Sequence, residues 1–175
     1  MSSERIGFFG GSFNPPTNIH INLANMLIEQ NKVDKVVFVP VGNYYPKKDL
    51  AEASDRYNML KLACKDYKNL EVEDLASSHP NNLFASDTFK LIYEKYANND
   101  IFFIMGSDNF EKMPTWKNYE YLKNNYKFIV LERNKTEISS SQIRKMIRNH
   151  QDVEEWINKD VWQYIIQKKL YNYSN

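Results

Sequence analysis

A chain of 175 residues with 42% hydrophobic and 14% aromatic side chains has one domain's length, taken here as residues 1–175, and enough apolar mass for a substantial core. A formal net charge of +1 provides no global basic field for nucleic acid or an anionic membrane, so any polyanion must be held by a local cluster. The single cysteine, Cys64, excludes an internal disulfide and a multi-cysteine metal site; with no signal-peptide pattern and no bilayer-length apolar run, the expected location is cytoplasmic.

The apolar run Ile6–Phe9 ends in Gly10-Gly11, passes through the polar turn Ser12-Phe13-Asn14-Pro15-Pro16-Thr17, and re-emerges in a helical pattern. That pattern predicts strand, tight loop and helix. Gly10 and Gly11 let backbone N–H groups approach a bulky anion, and the helix offers its positive end to the same space. Numbered from Ile19 at about 100° per residue, Leu23, Ala24, Leu27 and Ile28 share one helix face. His20 lies in the middle of that face and points inward at the mouth of the candidate anion site. As a lone residue it reads equally as a satisfied core histidine.

Further along, Lys35–Pro40 is a short apolar run expected as a strand covered on both faces. A loop through Gly42 to Lys48 leads to a helix expected over Ser54–Asp66, and Leu70–Glu73 reads as a strand. Ser77–Leu83 is polar loop, Ser86–Tyr96 is helical, and Ile101–Met105 is the clearest buried strand, closed by Gly106. Tyr119–Asn124 is expected as a short helix, Phe128–Leu131 as a strand, and the tail as helical through Lys168. Alternating elements of this kind predict an α/β fold, a Rossmann-like doubly wound parallel sheet with C-terminal helices. Its ligands belong beyond the carboxyl ends of the strands.

The segment Ile138-Ser139-Ser140-Ser141-Gln142-Ile143-Arg144 carries complete helix-start signals. With Ser139 as N-cap, Gln142 falls at the third position and makes a capping box, with Ile138 and Ile143 as a hydrophobic staple. Ser140 and Arg144 then share a face at a helix N-terminus, where amides, hydroxyl and guanidinium suit a triphosphate. An ordinary capped surface helix has the same start signals.

These stretches resemble the nicotinate/nicotinamide mononucleotide adenylyltransferases of the T/HxxH nucleotidyltransferase superfamily. The stretch Gly11-Ser12-Phe13-Asn14-Pro15-Pro16-Thr17-Asn18-Ile19-His20 resembles GxFxPxHxGH, with Thr17 in place of the first histidine. Ile138–Arg144 resembles ISSTxIR, with Ser141 in place of threonine. Met105-Gly106-Ser107-Asp108, followed by Trp116, resembles the GxD…W segment, and the loop bearing Lys47 and Lys48 resembles the one after the second strand. Asp87-Thr88-Phe89 is a weaker match, and the resemblance runs on into the C-terminal helix. One departure is the short stretch Asn134–Glu137, where bacterial relatives carry a longer segment with its own strand, which bears on any homo-oligomer contact there.

What the resemblance implies is transfer of AMP from ATP to nicotinate or nicotinamide mononucleotide, by in-line attack and without a covalent intermediate. Catalysis then rests on positioning and charge stabilisation. His20, Thr17 and Arg144 are the candidate catalytic residues. Gly10, Gly11, Ser12, Phe13, Asn14, Lys47, Thr88, Gly106, Asp108, Trp116, Ser139 and Ser140 are the candidate nucleotide-binding set. Within it, Asp108 is matched to ribose hydroxyls, Trp116 to the pyridine ring, Lys47 to the mononucleotide phosphate, and Ser139 and Ser140 with Arg144 to the leaving pyrophosphate. Mg²⁺ is expected on the phosphates of ATP with few protein ligands, and no protein metal site is expected. Two alternatives stay open: another superfamily member, such as one acting on pantetheine phosphate, and a catalytically silent nucleotide-binding module.

Overall fold

Strands whose every residue is apolar can persist only where both faces are covered, and the observed sheet provides that cover. A computed structural model describes residues 3–173. Its strands β1 (Arg5–Gly11), β2 (Lys35–Pro40), β3 (Leu70–Val72), β4 (Asp100–Gly106) and β5 (Lys127–Leu131) form one sheet in the order β3-β2-β1-β4-β5, with every pairing parallel. β2 is buried over five consecutive residues, whereas the edge strand β5 buries only Leu131. Side chains alternate between two cores. Phe9, Phe38 and Ile104 face one, and Phe8, Val37, Val39 and Phe103 face the other.

Helices α1 (Asn18–Glu29), α2 (Ala53–Cys64), α6 (Ser140–Arg148) and α7 (Lys159–Lys168) cover the first core. Helix α3 (Ala85–Lys95) covers the second through Phe89 and Ile92. Two short helices complete the set: α4 (Ser107–Lys112), directly after β4, and α5 (Tyr119–Asn125).

One expectation is corrected. The tail is not one continuous helical stretch: α6 ends at Arg148, His150 turns the chain at φ 53°, and α7 begins only at Lys159, capped by the Asn158 side chain. The intervening Val153 and Ile157 are buried in the core without being helical. The segment after Gly106, for which the sequence predicted no element, is a short helix with Gly106 at the N-cap position.

Candidate active site

The sheet reverses its winding direction between β1 and β4, and an open cleft lies over that point. Its volume is about 480 Å³. Gly10, Gly11 and Ser12 after β1, Gly106 after β4 and Leu131 at the end of β5 all line it. A Cβ placed on Gly10 or Gly106 would meet no protein atom within 4 Å. Neither glycine is therefore required by packing; each keeps backbone at the cleft wall open to close approach.

His20 lines the cleft from the first turn of α1. Its Nδ1 accepts from the Thr17 backbone N–H at 2.9 Å and lies 3.1 Å from Thr17 Oγ1. Because an amide can only donate, Nδ1 must be unprotonated, and the neutral ring carries its hydrogen on Nε2. Edge-on contacts to Phe13 at 5.1 Å and Phe9 at 6.2 Å fix the ring plane. Burial against this aromatic wall, and then the neighbouring Lys47, hold the imidazole pKa down at about 4. The ring is thus a neutral hydrogen-bond donor at physiological pH. Phe13 itself adopts φ 48°, an uncommon conformation for a bulky residue, and its buried ring packs on Phe9, Phe38 and His20.

The loop between β1 and α1 is held from beneath by its carbonyls. The Gly11 carbonyl accepts from the Val41 N–H at 3.0 Å, and the Ser12 carbonyl from Arg56 at 3.0 Å. The Asn14 carbonyl accepts from Arg144 at 2.9 Å, and the Pro15 carbonyl from Ser140 Oγ at 2.9 Å. Lys47 donates to Ser12 Oγ at 3.0 Å from the cleft wall. Desolvation, then Arg144 and Arg56, lower the pKa of its ammonium. Among the described residues none of these three cations forms an ion pair with a carboxylate. Arg56 Nη2 and Arg144 Nε are buried without a hydrogen-bond partner. Positive charge is therefore concentrated under the loop, with Glu52 acting on Arg56 only from beyond ion-pair distance.

Other candidates fall in several places. Ser139 and Gln142 form the reciprocal capping box that their spacing predicts, at 3.2 and 2.7 Å, and Ser139, Ser140 and Ser141 line the cleft. Ser140 and Arg144 do share a face, but it docks on Asn14 and Pro15. Arg144 is buried, does not line the cleft, and spends its remaining Nη on Ser141 Oγ. Asn14 is likewise fully buried with its amide bonded inward. Asp108 lines the cleft and pairs with Arg133, which lines it too, at 2.8 Å. Thr88 lines a hollow of only about 30 Å³, which shares Val41 and Tyr45 with the cleft. Trp116 is half-buried and lines neither space.

Sequence reasoning missed Arg56, Arg133 and Tyr171. Arg56 carried a signal: it falls on the stripe Arg56, Met59, Leu60, Ala63, all buried, where a charge is out of place. Arg133 and Tyr171 offered none, because their partners lie 25 and 157 positions away.

The cytidylyltransferase-like family model matches residues 8–146 of this chain. A protein of Acholeplasma laidlawii, described as a probable nicotinate-nucleotide adenylyltransferase, is 32% identical over 93% of this chain and 95% of its own length. The nicotinate-nucleotide adenylyltransferase of Bacillus subtilis is 28% identical over 96% of this chain and 98% of its own. The structure of Plasmodium falciparum nicotinic acid mononucleotide adenylyltransferase complexed with NaAD superimposes with a TM-score of 0.79 at 22% identity, covering 98% of both chains. That superposition establishes the nucleotidyltransferase fold. Among the described residues no helix is long and apolar enough to cross a membrane.

Proposed function

Because this chain belongs to the cytidylyltransferase-like family, we propose that it is a nicotinate-nucleotide adenylyltransferase, moving AMP from ATP to nicotinate mononucleotide and releasing pyrophosphate. One observation carries the reading: a neutral histidine with its Nε2 hydrogen free sits on a glycine-rich loop, across one cleft from the capped start of α6. The relatives named for this activity, matched over nearly their whole length, support it.

In this reading a 5′-phosphate oxygen of the mononucleotide bonds to the α-phosphorus of ATP while the bond to the β-phosphate bridging oxygen breaks. Pyrophosphate leaves with that electron pair. His20 Nε2–H donates to a non-bridging phosphate oxygen as charge builds there, and Thr17 holds the ring through Nδ1. Gly10–Ser12 and the start of α6, with Ser139 and Ser140, receive the phosphates. Lys47 meets the acceptor phosphate, so both anions are drawn toward one point. Arg144, and with it Phe13 and Asn14, shape the loop from below.

Mg²⁺ enters with ATP. The cleft's carboxylates are Asp108, Glu132 and Glu137, and among the described residues no three groups cluster as a metal site. That donor set fits an ion held chiefly by phosphate oxygens, whose charge it offsets when bound. Gly106 and Asp108 lie where a ribose can be held. The pyridine ring is assigned to the Thr88 hollow, which must widen to admit it, and Trp116 reaches the ring only if its turn moves inward.

The test is pyrophosphate release from ATP with four acceptors in turn: nicotinate mononucleotide, nicotinamide mononucleotide, pantetheine phosphate and none. Release with nicotinate mononucleotide is the expected result. Preference for pantetheine phosphate, or ATP binding with no release, would overturn it.

A further inference from the structure

The chain's far end reaches the loop on which this chemistry rests. Tyr171, in the final 3₁₀ turn Leu170–Asn172, donates its hydroxyl to Asn14 Oδ1 at 2.7 Å. The same Oδ1 accepts from the Ala51 N–H at 3.1 Å, while Asn14 Nδ2 donates to the Asp49 carbonyl at 2.8 Å. Asn14 is wholly buried and Tyr171 nearly so. The Asn14 amide is therefore a clasp between the glycine-rich loop and the Asp49–Ala51 backbone. That backbone follows directly on Lys47, whose ammonium returns to Ser12.

We propose that Tyr171 is a positioning residue for adenylyl transfer, acting through the Asn14 amide to fix the segment that carries Lys47 into the cleft. The inference rests on the function proposed above. An amide of this kind can face either way, and a flipped Asn14 would set its NH₂ against the Ala51 N–H and its oxygen against the Asp49 carbonyl. A hydroxyl can pair with either end of the amide, so orientation is set by the backbone partners and held by a third bond. Removing the Tyr171 hydroxyl leaves Oδ1 with one donor instead of two in a space closed to water. Burial raises the phenol's pKa, so the hydroxyl keeps its hydrogen at any working pH. Lys47 is the group most exposed to a loosened clasp, because nothing but Ser12 Oγ holds its ammonium among the described residues.

The experiment is a double-mutant cycle on kcat/KM for nicotinate mononucleotide with Tyr171→Phe, Lys47→Met and both together, each assayed about 20 °C below its own Tm. Tyr171→Phe should lower kcat/KM by about three- to tenfold, the scale of one buried hydrogen bond, and by less than about twofold when Lys47 is already methionine. Equal factors in both backgrounds, or no loss, would overturn the proposal. Asn14→Ser opens the same clasp from the other side and should show the same dependence on Lys47, which decides the matter should Tyr171→Phe fail to fold. Amide hydrogen exchange supplies a readout independent of turnover. Exchange at Ala51 should quicken by at least about fivefold in Tyr171→Phe while β1 and β4 keep wild-type rates. Wild-type exchange at Ala51 would refute the clasp; a wild type inert with every acceptor would refute the function and leave the exchange result to judge the clasp.

Discussion

Replacing His20 separates two jobs that one imidazole performs. Its Nδ1 acts at the third helical position as a capping-box acceptor for Thr17, and its Nε2 hydrogen is left for a ligand. His20→Ala removes both. Losing the cap costs about 1 kcal/mol, and losing edge-on contacts to Phe13 and Phe9 adds about 1–2 kcal/mol. At about 2–4 °C per kcal/mol in a chain of this size, Tm should fall by about 4–12 °C. Losing the Nε2 donor should cost about 10²–10³ in kcat/KM. His20→Gln divides the two effects, because glutamine is the ordinary third residue of a capping box after threonine. It should recover the capping part of the lost stability while kcat/KM stays down by the same 10²–10³. The assay is pyrophosphate release normalised to folded protein, with Tm from calorimetry. Near-normal kcat/KM in the folded fraction of His20→Ala would refute the reasoning and make His20 a core residue.

The same ring predicts a pH dependence. Its folded pKa of about 4 lies below the ordinary 6.5, so the unfolded chain takes up the proton first. Stability from this group is full above about 6.5 and is lost as pH falls toward 4, and denaturant titrations should show that slope vanish in His20→Gln. Arg144→Met removes a buried charged donor from the Asn14 carbonyl, so it should cost about 1.5–3 kcal/mol and lower Tm by roughly 3–12 °C. It should also weaken both substrates together, and a KM change confined to ATP would instead put the guanidinium on the triphosphate. Trp116 is tested by fluorescence: nicotinate mononucleotide should quench the wild type, and the quench should disappear in Trp116→Phe; its persistence there would assign the signal to Trp156 or Trp162.

What could be read in advance follows from how local each determinant is. The strands were legible because a parallel strand covered on both faces has no polar positions to blur it, as Val36–Pro40 shows. The start of α6 was legible because its box and staple lie within six residues. The break before α7 was hidden by spacing: Val153, Ile157, Val161 and Ile165 recur every four residues and all are buried, yet only the last two are helical. Five polar residues and a lone Phe110 gave α4 no period to detect. In the site, Asn14 and Arg144 were legible as motif positions but not as buried ones. Which way a side chain at 144 points is decided by how α6 packs on a loop 130 residues earlier.

That packing bears on how a chain of net charge +1 can hold the two phosphorylated substrates of the proposed reaction. A bare loop offers an anion its N–H groups and repels it with its carbonyls in equal number. Here the carbonyls of Gly11, Ser12, Asn14 and Pro15 are each taken by a donor from elsewhere in the fold, two of them by guanidinium groups. The negative ends of the loop are thus engaged, and among the described residues neither guanidinium that engages them forms an ion pair with a carboxylate. Buried cations in this condition are costly, and a bound polyphosphate is the counter-charge that lowers the cost. In the proposed reaction Arg56 and Arg144 act through the Ser12 and Asn14 carbonyls that they engage rather than on the substrate itself.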